Sequence, residues 1–333
     1  MKNLDRTEFA TITPALTAEA GSGQRAFRSR SCQRGVAIIT AIFYTVLASV
    51  LAVSLVSTLQ LEIRRTGNVI DNDRAYVFGL GVEAWVTQLL LRDDANKDSL
   101  DEDWAIVLPP ITVEGGQISG RIEDMQGRFN LNNLVIEGKR SEPDVQRFNR
   151  LLQVLGITAE ITPAVVDWLD DDAEPSFPDG AEDDAYYGQP VPYRAANRLM
   201  ASPSELRLIK GVTPEIFAQI EPYVTALPQR TALNVNTASA PLLATIVEGM
   251  TLADGETLIE LRDEESFPAV DQFLQQEVFL DKDIQREALS VTTEYFLVDA
   301  QTQYGERGKL RLFSLLQRKG GKVATVMRAE GVL

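Results

Sequence analysis

The sequence predicts an α+β protein in which one long N-terminal helix lies on a C-terminal antiparallel sheet, with a large all-α block inserted between the two. Three observations carry this expectation. An uncharged apolar run from Val36 to Leu61 leads into further apolar residues at helical spacing, the C-terminus reads as β-rich runs parted by glycine turns, and helix-start signals recur between these ends.

The apolar run comes first in the chain. As a helix its roughly 26 residues reach about 39 Å, enough to cross about 30 Å of hydrocarbon. Arg25, Arg28, Arg30 and Arg34 precede it, so the N-terminal flank is expected in the cytoplasm and everything after Leu61 on the far side of the membrane. A cleaved secretory signal would have a shorter apolar region followed by a small-residue cleavage site, which Ala48 to Ser54 imitates only weakly. A plain signal anchor is the simple alternative.

Composition removes several chemistries. The net charge is -16, yet residues 1–35 are net basic, with Lys2, Arg6, Arg25, Arg28, Arg30 and Arg34 against Asp5, Glu8 and Glu19. The exported remainder is therefore more acidic than the whole, which disfavours nucleic acid and anionic headgroups and suits cations or basic patches on partners. There is no histidine, and the single cysteine, Cys32, lies in the basic leader. Nucleophilic catalysis by Cys/His or Ser/His pairs is excluded, as are an intrachain disulfide and a structural thiolate metal site. No enzymatic activity is expected.

After the span, Val69, Tyr76, Val77, Leu80, Ala84, Val86, Leu89 and Leu90 continue the helical spacing, while Gly67, Gly79 and Gly81 lower local propensity and allow bending. Alternation at Ile118, Gly120 and Ile122 predicts a strand before an ordered loop. At the C-terminus TTEYFLVDAQTQYGERGKLRLFSLLQRKGGKVATVMRAEG holds three β-rich runs, with turns at residues 305–308 and 319–321, and predicts an antiparallel meander.

The helical block spans roughly residues 140–291. Its starts are marked by Ser141 with Pro143, Thr162 with Pro163, Ser202 with Pro203 and Glu205, and Thr213 with Pro214. It contains two weakly similar units, SELRLIKGVTPEIFAQIEPYV and LNVNTASAPLLATIVEGMTLADGETLIELRDEESFPAVDQFL, of helix-hairpin-helix or SAM-like type. The second resembles the helix-hairpin-helix module of DNA-binding proteins, which raises a membrane-anchored, competence-type DNA receptor as an alternative function. Such modules hold phosphate through a glycine-rich hairpin, but Lys210-Gly211-Val212-Thr213 and Glu248-Gly249-Met250-Thr251 each carry one glycine, the second among acids. A helical scaffold for protein contacts is the better reading.

The strongest chemical signal is DWLDDDAEPSFPDGAEDDAYYGQPVPYR, residues 167–194, where Asp167, Asp170, Asp171, Asp172, Glu174, Asp179, Glu182, Asp183 and Asp184 meet no basic residue before Arg194. If ordered, these carboxylates would repel, and a hard cation with many oxygen ligands, calcium above all, is the usual remedy. The spacing is not that of an EF-hand. A solvated acidic loop and a metal-dependent hydrolase are the alternatives. Trp168, Phe177, Tyr186, Tyr187 and Tyr193 among prolines argue for order, and no general base accompanies the acids.

The segment RGVAIITAIFYTVLASVLAVSLVSTLQLEIRR resembles the N-terminus of type IV pilin-like proteins. That resemblance implies that a prepilin peptidase cuts after Gly35, leaving Val36 as the mature N-terminus and retaining the helix as membrane anchor and fibre core. Most such proteins have glutamate at the fifth mature position, where this chain has Thr40; the class uses that acid to meet a neighbour's new N-terminus, so its lack suits a fibre tip. The leader is long for the class, and the true translation start is expected downstream of Met1. Together with the acidic segment, PYRAANRLMASPSELRLIKGVT and LNVNTA, these residues resemble the minor pseudopilin K family of bacterial type II secretion systems, the general secretion pathway protein K family. The resemblance covers residues 32–333. It implies a cytoplasmic leader 1–35, a transmembrane and fibre-core helix 36–61, a pilin-like domain in two parts, 62–139 and 292–333, and an inserted α-domain 140–291. It further implies single-pass residence in the inner membrane with the C-terminal domain in the periplasm. The expected partners are minor pseudopilins I and J, the major pseudopilin, the peptidase and the inner-membrane assembly platform. Calcium is implied in the α-domain, with Asp170, Asp172, Glu174, Glu182 and Asp183 as the ligand set.

Overall fold

The computed structural model describes residues 33–331 except Asp281 and Asp283; the basic leader, including Arg25, Arg28, Arg30 and Cys32, lies outside the described residues. The chain divides into two compact units, one ending at Ile63 and one starting at Arg64. Helix α1 (Gln33–Arg92) contributes to both.

In the first unit every residue from Gly35 to Leu61 is exposed, including Val36 at 62% and Phe43 at 62%. The stretch is long and apolar enough to cross a membrane. Four of its hydroxyls are closed internally: Thr40 donates to the Val36 carbonyl (3.0 Å), Thr45 to Ala41 (2.8 Å), Ser49 to Thr45 (2.8 Å) and Thr58 to Ser54 (3.0 Å). A helix in hydrocarbon needs this, because no water is present to satisfy a free hydroxyl.

In the second unit α1 is continued by β1 (Leu108–Val113) and β2 (Gly116–Asp124), a hairpin turned by Gly115 at φ 86°. Short pieces follow: β3 (Phe129–Asn130), β4 (Val135–Ile136) and β5 (Lys139–Arg140). Next come α2 (Glu142–Val154), α3 (Thr162–Leu169), α4 (Asp183–Tyr187), α5 (Pro214–Ile220), β6 (Val224–Thr225), β7 (Leu233–Asn234), α6 (Ala240–Leu243), α7 (Leu252–Glu264), α8 (Val270–Leu274) and β8 (Leu289–Ser290). The chain ends with β9 (Tyr295–Tyr304), β10 (Gly308–Lys319) and β11 (Lys322–Glu330).

The expected C-terminal meander forms as β9-β10-β11, and β1 and β2 extend it into a five-stranded antiparallel sheet of order β1-β2-β9-β10-β11. Strand β1 carries Pro109 and Pro110 and gave no alternation to read; prolines are tolerated there because it is an edge. Register aligns Gly120, Ala300 and Leu312 across three strands. Val82, Val86 and Leu90 of α1 bury against this sheet, in one core with Trp104, Phe296, Val298 and Leu316. Each such side chain contributes about 1.5–3 kcal/mol. Val77 at 61%, Val69 at 59% and Ala84 face outward, so the helical spacing of the second half mixes two faces. Gly79 acts as a packing residue rather than a bend: a Cβ there would stand 3.0 Å from Leu312 Cδ2, and the helix runs on unbroken.

One buried charge fixes the helix on the sheet. Glu83 accepts from Arg328 Nε and Nη2, each at 2.7 Å, from Ser314 Oγ at 2.6 Å and from Thr325 Oγ1 at 2.8 Å. Burial alone would raise the Glu83 carboxyl, but Arg328, Ser314 and Thr325 together hold it down at about 2.

The chain leaves the sheet after Asp124 and returns at Tyr295, and a separate hydrophobic core runs from Phe129 to Val291. This stretch is helical with three short ladders, so the all-α expectation is modified: β3 pairs with β6 and β7 with β8, both parallel, and β4 with β5 antiparallel. The two parallel ladders reveal a repeat that the sequence reading missed. Phe129-Asn130-Leu131-Asn132 and Leu233-Asn234-Val235-Asn236 are built alike. Asn130 Oδ1 accepts the Asn132 N–H, as Asn234 Oδ1 accepts the Asn236 N–H. Asn132 then brackets the backbone of Met200, and Asn236 brackets that of Phe267, each by one bond given and one accepted. All four asparagines are buried because their side chains complete the backbone hydrogen bonding of another segment.

Candidate metal centre

Helix α3 delivers two acids to its C-terminal end. Asp167 is fully buried and accepts from the Ser176 N–H (3.1 and 3.0 Å) and the Ala181 N–H (2.7 Å). Gly180 sits against this carboxylate with no space for a Cβ. The following chain is thereby folded back, and Glu182, at the start of α4, returns to face Asp170. Trp168, Tyr186 and Tyr193 form the floor, with ring centroids 5.4 Å apart for Trp168–Tyr186 and 5.2 Å for Tyr186–Tyr193.

Asp170, Asp172 and Glu182 each offer a carboxylate oxygen within 4.8 Å of the others. Asp170 is 8% and Glu182 5% exposed, while Asp172 is open to solvent. Asp170 Oδ1, both Glu182 oxygens and Asn197 Oδ1 are buried without a hydrogen-bond partner. Asn197 has φ 44° and donates through Nδ2 to the Asp172 carbonyl at 2.6 Å. Burial, then the charges of Asp172, Asp167 and Asp171, push Asp170 up to about 6. Burial, then Asp167, Asp170 and Asp172, push Glu182 up to about 7. Buried oxygens left without donors are costly, and Asp170, Asp172, Glu182 and Asn197 could hold a cation that takes oxygen ligands.

The other two residues of the expected set are placed elsewhere. Glu174 is exposed, and its N–H donates to Asp172 Oδ1 at 2.8 Å. Asp183 spends Oδ1 on the Ala195 N–H at 3.0 Å and holds Arg194 Nε at 3.9 Å. Asn197 was not anticipated; an amide outside the acidic run gives no charge signal in a sequence. At the processing position, Gly35 and Val36 are exposed, and Thr40 is exposed with its hydroxyl turned into the helix.

A second acid group, Asp93, Asp98 and Glu102, lies just after α1. Here Arg318 Nη1 reaches Asp93 at 3.0 Å, Arg318 Nη2 bonds Asp98, and Thr293 N–H donates to Asp98 at 2.7 Å. Glu102 accepts from Trp104 Nε1 at 2.7 Å.

A long apolar N-terminal helix with an antiparallel sheet built on its second half is the arrangement of the pilin-like class of secretion subunits. The family model for type II secretion system protein K matches in two parts, at residues 127–229 and 233–292. The chain is 35% identical to a type II secretion system protein K from Pseudomonas aeruginosa over 91% of its own length and 94% of that protein's. It is 32% identical to the Pectobacterium carotovorum protein of that name, covering 91% and 98% respectively. The chain belongs to the type II secretion system protein K family. Its fold also matches a chain of the GspK-GspI-GspJ complex from the enterotoxigenic Escherichia coli Type 2 Secretion System, with TM-score 0.72 and 25% identity over 81% of this chain and all of that one.

Proposed function

We propose that this chain is the minor pseudopilin that caps and initiates the pseudopilus of a type II secretion system, in a tip complex with minor pseudopilins I and J. The observation that carries the reading is family membership along nearly the whole chain, which includes the apolar helix, the sheet and the insertion together. The helix serves first as a single-pass inner-membrane anchor, with the second unit in the periplasm, and after cleavage between Gly35 and Val36 as part of the fibre core. Residues 140–291 form an inserted domain with helix-hairpin-helix-like units, too bulky to sit between fibre turns; with Thr40 in place of an acid, nothing is needed above it. The DNA-receptor alternative finds no support, and the relatives are secretion-system components rather than enzymes. The prepilin peptidase, the major pseudopilin and the assembly platform are the remaining partners of this reading.

Calcium is the cation we assign to Asp170, Asp172, Glu182 and Asn197. The support is the set of buried, donor-free oxygens, which a divalent ion would satisfy while holding the turn closed.

The test is the intact mass and N-terminal sequence of the chain from cells with and without their prepilin peptidase, joined to secretion by a strain lacking the chain. A mature protein beginning at Val36 only with the peptidase, and secretion lost in the deletion strain, are expected. An unprocessed chain in both strains would reduce α1 to an ordinary signal anchor.

A further inference from the structure

Phe177 is 92% exposed, the most exposed large apolar side chain among the described residues, and it lies far from the membrane helix in sequence. Its presentation is built rather than loose. The turn that carries it is pinned at both ends by Asp167, which accepts from the N–H groups of Ser176 and Ala181, and Gly180 N–H closes it onto the Ser176 carbonyl at 2.7 Å. Lys210 Nζ adds a bond to the Gly180 carbonyl at 3.4 Å. Phe177 and Pro178 line an open cleft of 610 Å³ together with residues 156–160 after α2, Thr162 and Pro163 of α3, and Arg140, whose charge is paired with Glu142. Exposed acids flank the ring in the same turn: Asp171, Glu174 and Asp179.

A fixed, fully presented aromatic beside a cleft is how a binding hot spot looks before its partner arrives. The acidic collar decides what the partner is. It repels anionic headgroups and nucleic acid, and it attracts a protein surface bearing arginine or lysine, whose cation can also stack on the ring. We propose that the Phe177 turn is a docking knob for a protein partner of the fibre tip, one presenting a basic rim around an apolar or arginine-bearing contact. The secretion readout below rests on the tip-subunit reading; the crosslinking readout does not.

The experiment uses the full chain in secreting cells. Phe177→Ala and Phe177→Glu are compared with Phe177→Tyr, and a photoreactive phenylalanine is placed at 177 and, as control, at exposed Leu208. Expected are at least a tenfold loss of secretion for the Ala and Glu variants, near-normal secretion for Tyr, and unchanged chain level and association with I and J. A protein adduct is expected from position 177 but not 208, cut at least fivefold by Glu174→Gln with Asp179→Asn. Wild-type secretion by the Glu variant, a lipid adduct, a second copy of this chain as the adduct, or an adduct indifferent to the acid substitutions would each overturn the proposal. If the deletion strain secretes normally, the tip-subunit reading fails, and the crosslinking result alone decides the docking surface.

Discussion

Among the described residues two groups of three acids cluster, and they differ in what faces them. Around Asp98 the nearest charge is Arg318, 7% exposed and bonded to both Asp93 and Asp98. Burial holds the Asp98 carboxyl up, at about 7, against the pull of that guanidinium. Around Asp170 every neighbouring charge is another acid, so burial and neighbours push the same way. The first group carries its own cation and serves as a joint: Asn234 ties Asp98 to Asp124, and Asp124 takes the Thr237 hydroxyl, so the end of β2, the start of β9 and the second asparagine repeat meet there. Among the described residues the second group has no basic partner, and its buried oxygens lack hydrogen-bond donors. Closeness of carboxylates does not separate a joint from a binding site; the donors left over do.

The largest expected effect breaks the joint. Arg318→Met leaves buried Asp98 and half-buried Asp93 without their guanidinium partner and should cost about 3–5 kcal/mol, read as a lowered urea midpoint. A loss below about 1 kcal/mol would mean that Asp98 is not held by that charge.

Next comes the acidic turn. Calcium at a hundredfold excess over its dissociation constant should stabilise the wild-type chain by about 2.7 kcal/mol, with Asp170→Asn and Glu182→Gln showing little response. An equal calcium response in wild type and both variants would sink the site.

Without the cation, pH should sharpen the contrast. Asp170 and Glu182 have folded values raised from 3.8 and 4.5 to about 6 and about 7. The folded state therefore binds more protons than the unfolded one between those limits, and stability falls as pH rises through about 4 to 7. Added calcium, which binds the ionised carboxylates, should flatten that slope; denaturation midpoints across the range measure it. The smallest effect is Glu174→Gln, expected within about 0.5 kcal/mol of wild type with the calcium response intact.

Much of the architecture was legible. The uncharged run, the glycine turns at 305–308 and 319–321, and the Pro-marked helix starts are local signals, and α1, the meander and α2, α3 and α5 follow from them. Strand β1 was hidden by its prolines, and the close approach of Gly79 to Leu312 by its resemblance to any helix-weakening glycine. LNVNTA carried the family resemblance only together with the other segments, and its physical use, two buried asparagines that brace remote backbone, became readable only beside FNLNN. Within the acidic run the residue types raised the expectation of a cation, while which of the nine acids face one another did not follow: Asp167 is the turn's scaffold and Asp183 a loop tether.

By itself the sequence determined the order of parts, the single apolar helix with its basic flank, the exclusion of histidine and thiol chemistry, and the place where negative charge concentrates. Those are properties of composition and short-range periodicity. Which oxygens face one another, and which acids find a guanidinium, was decided only when segments far apart in the chain were packed together. Arg318 reaches Asp98 across 220 residues, whereas among the described residues no basic group meets Asp170 and Glu182, and that difference in long-range pairing separates the two acid groups.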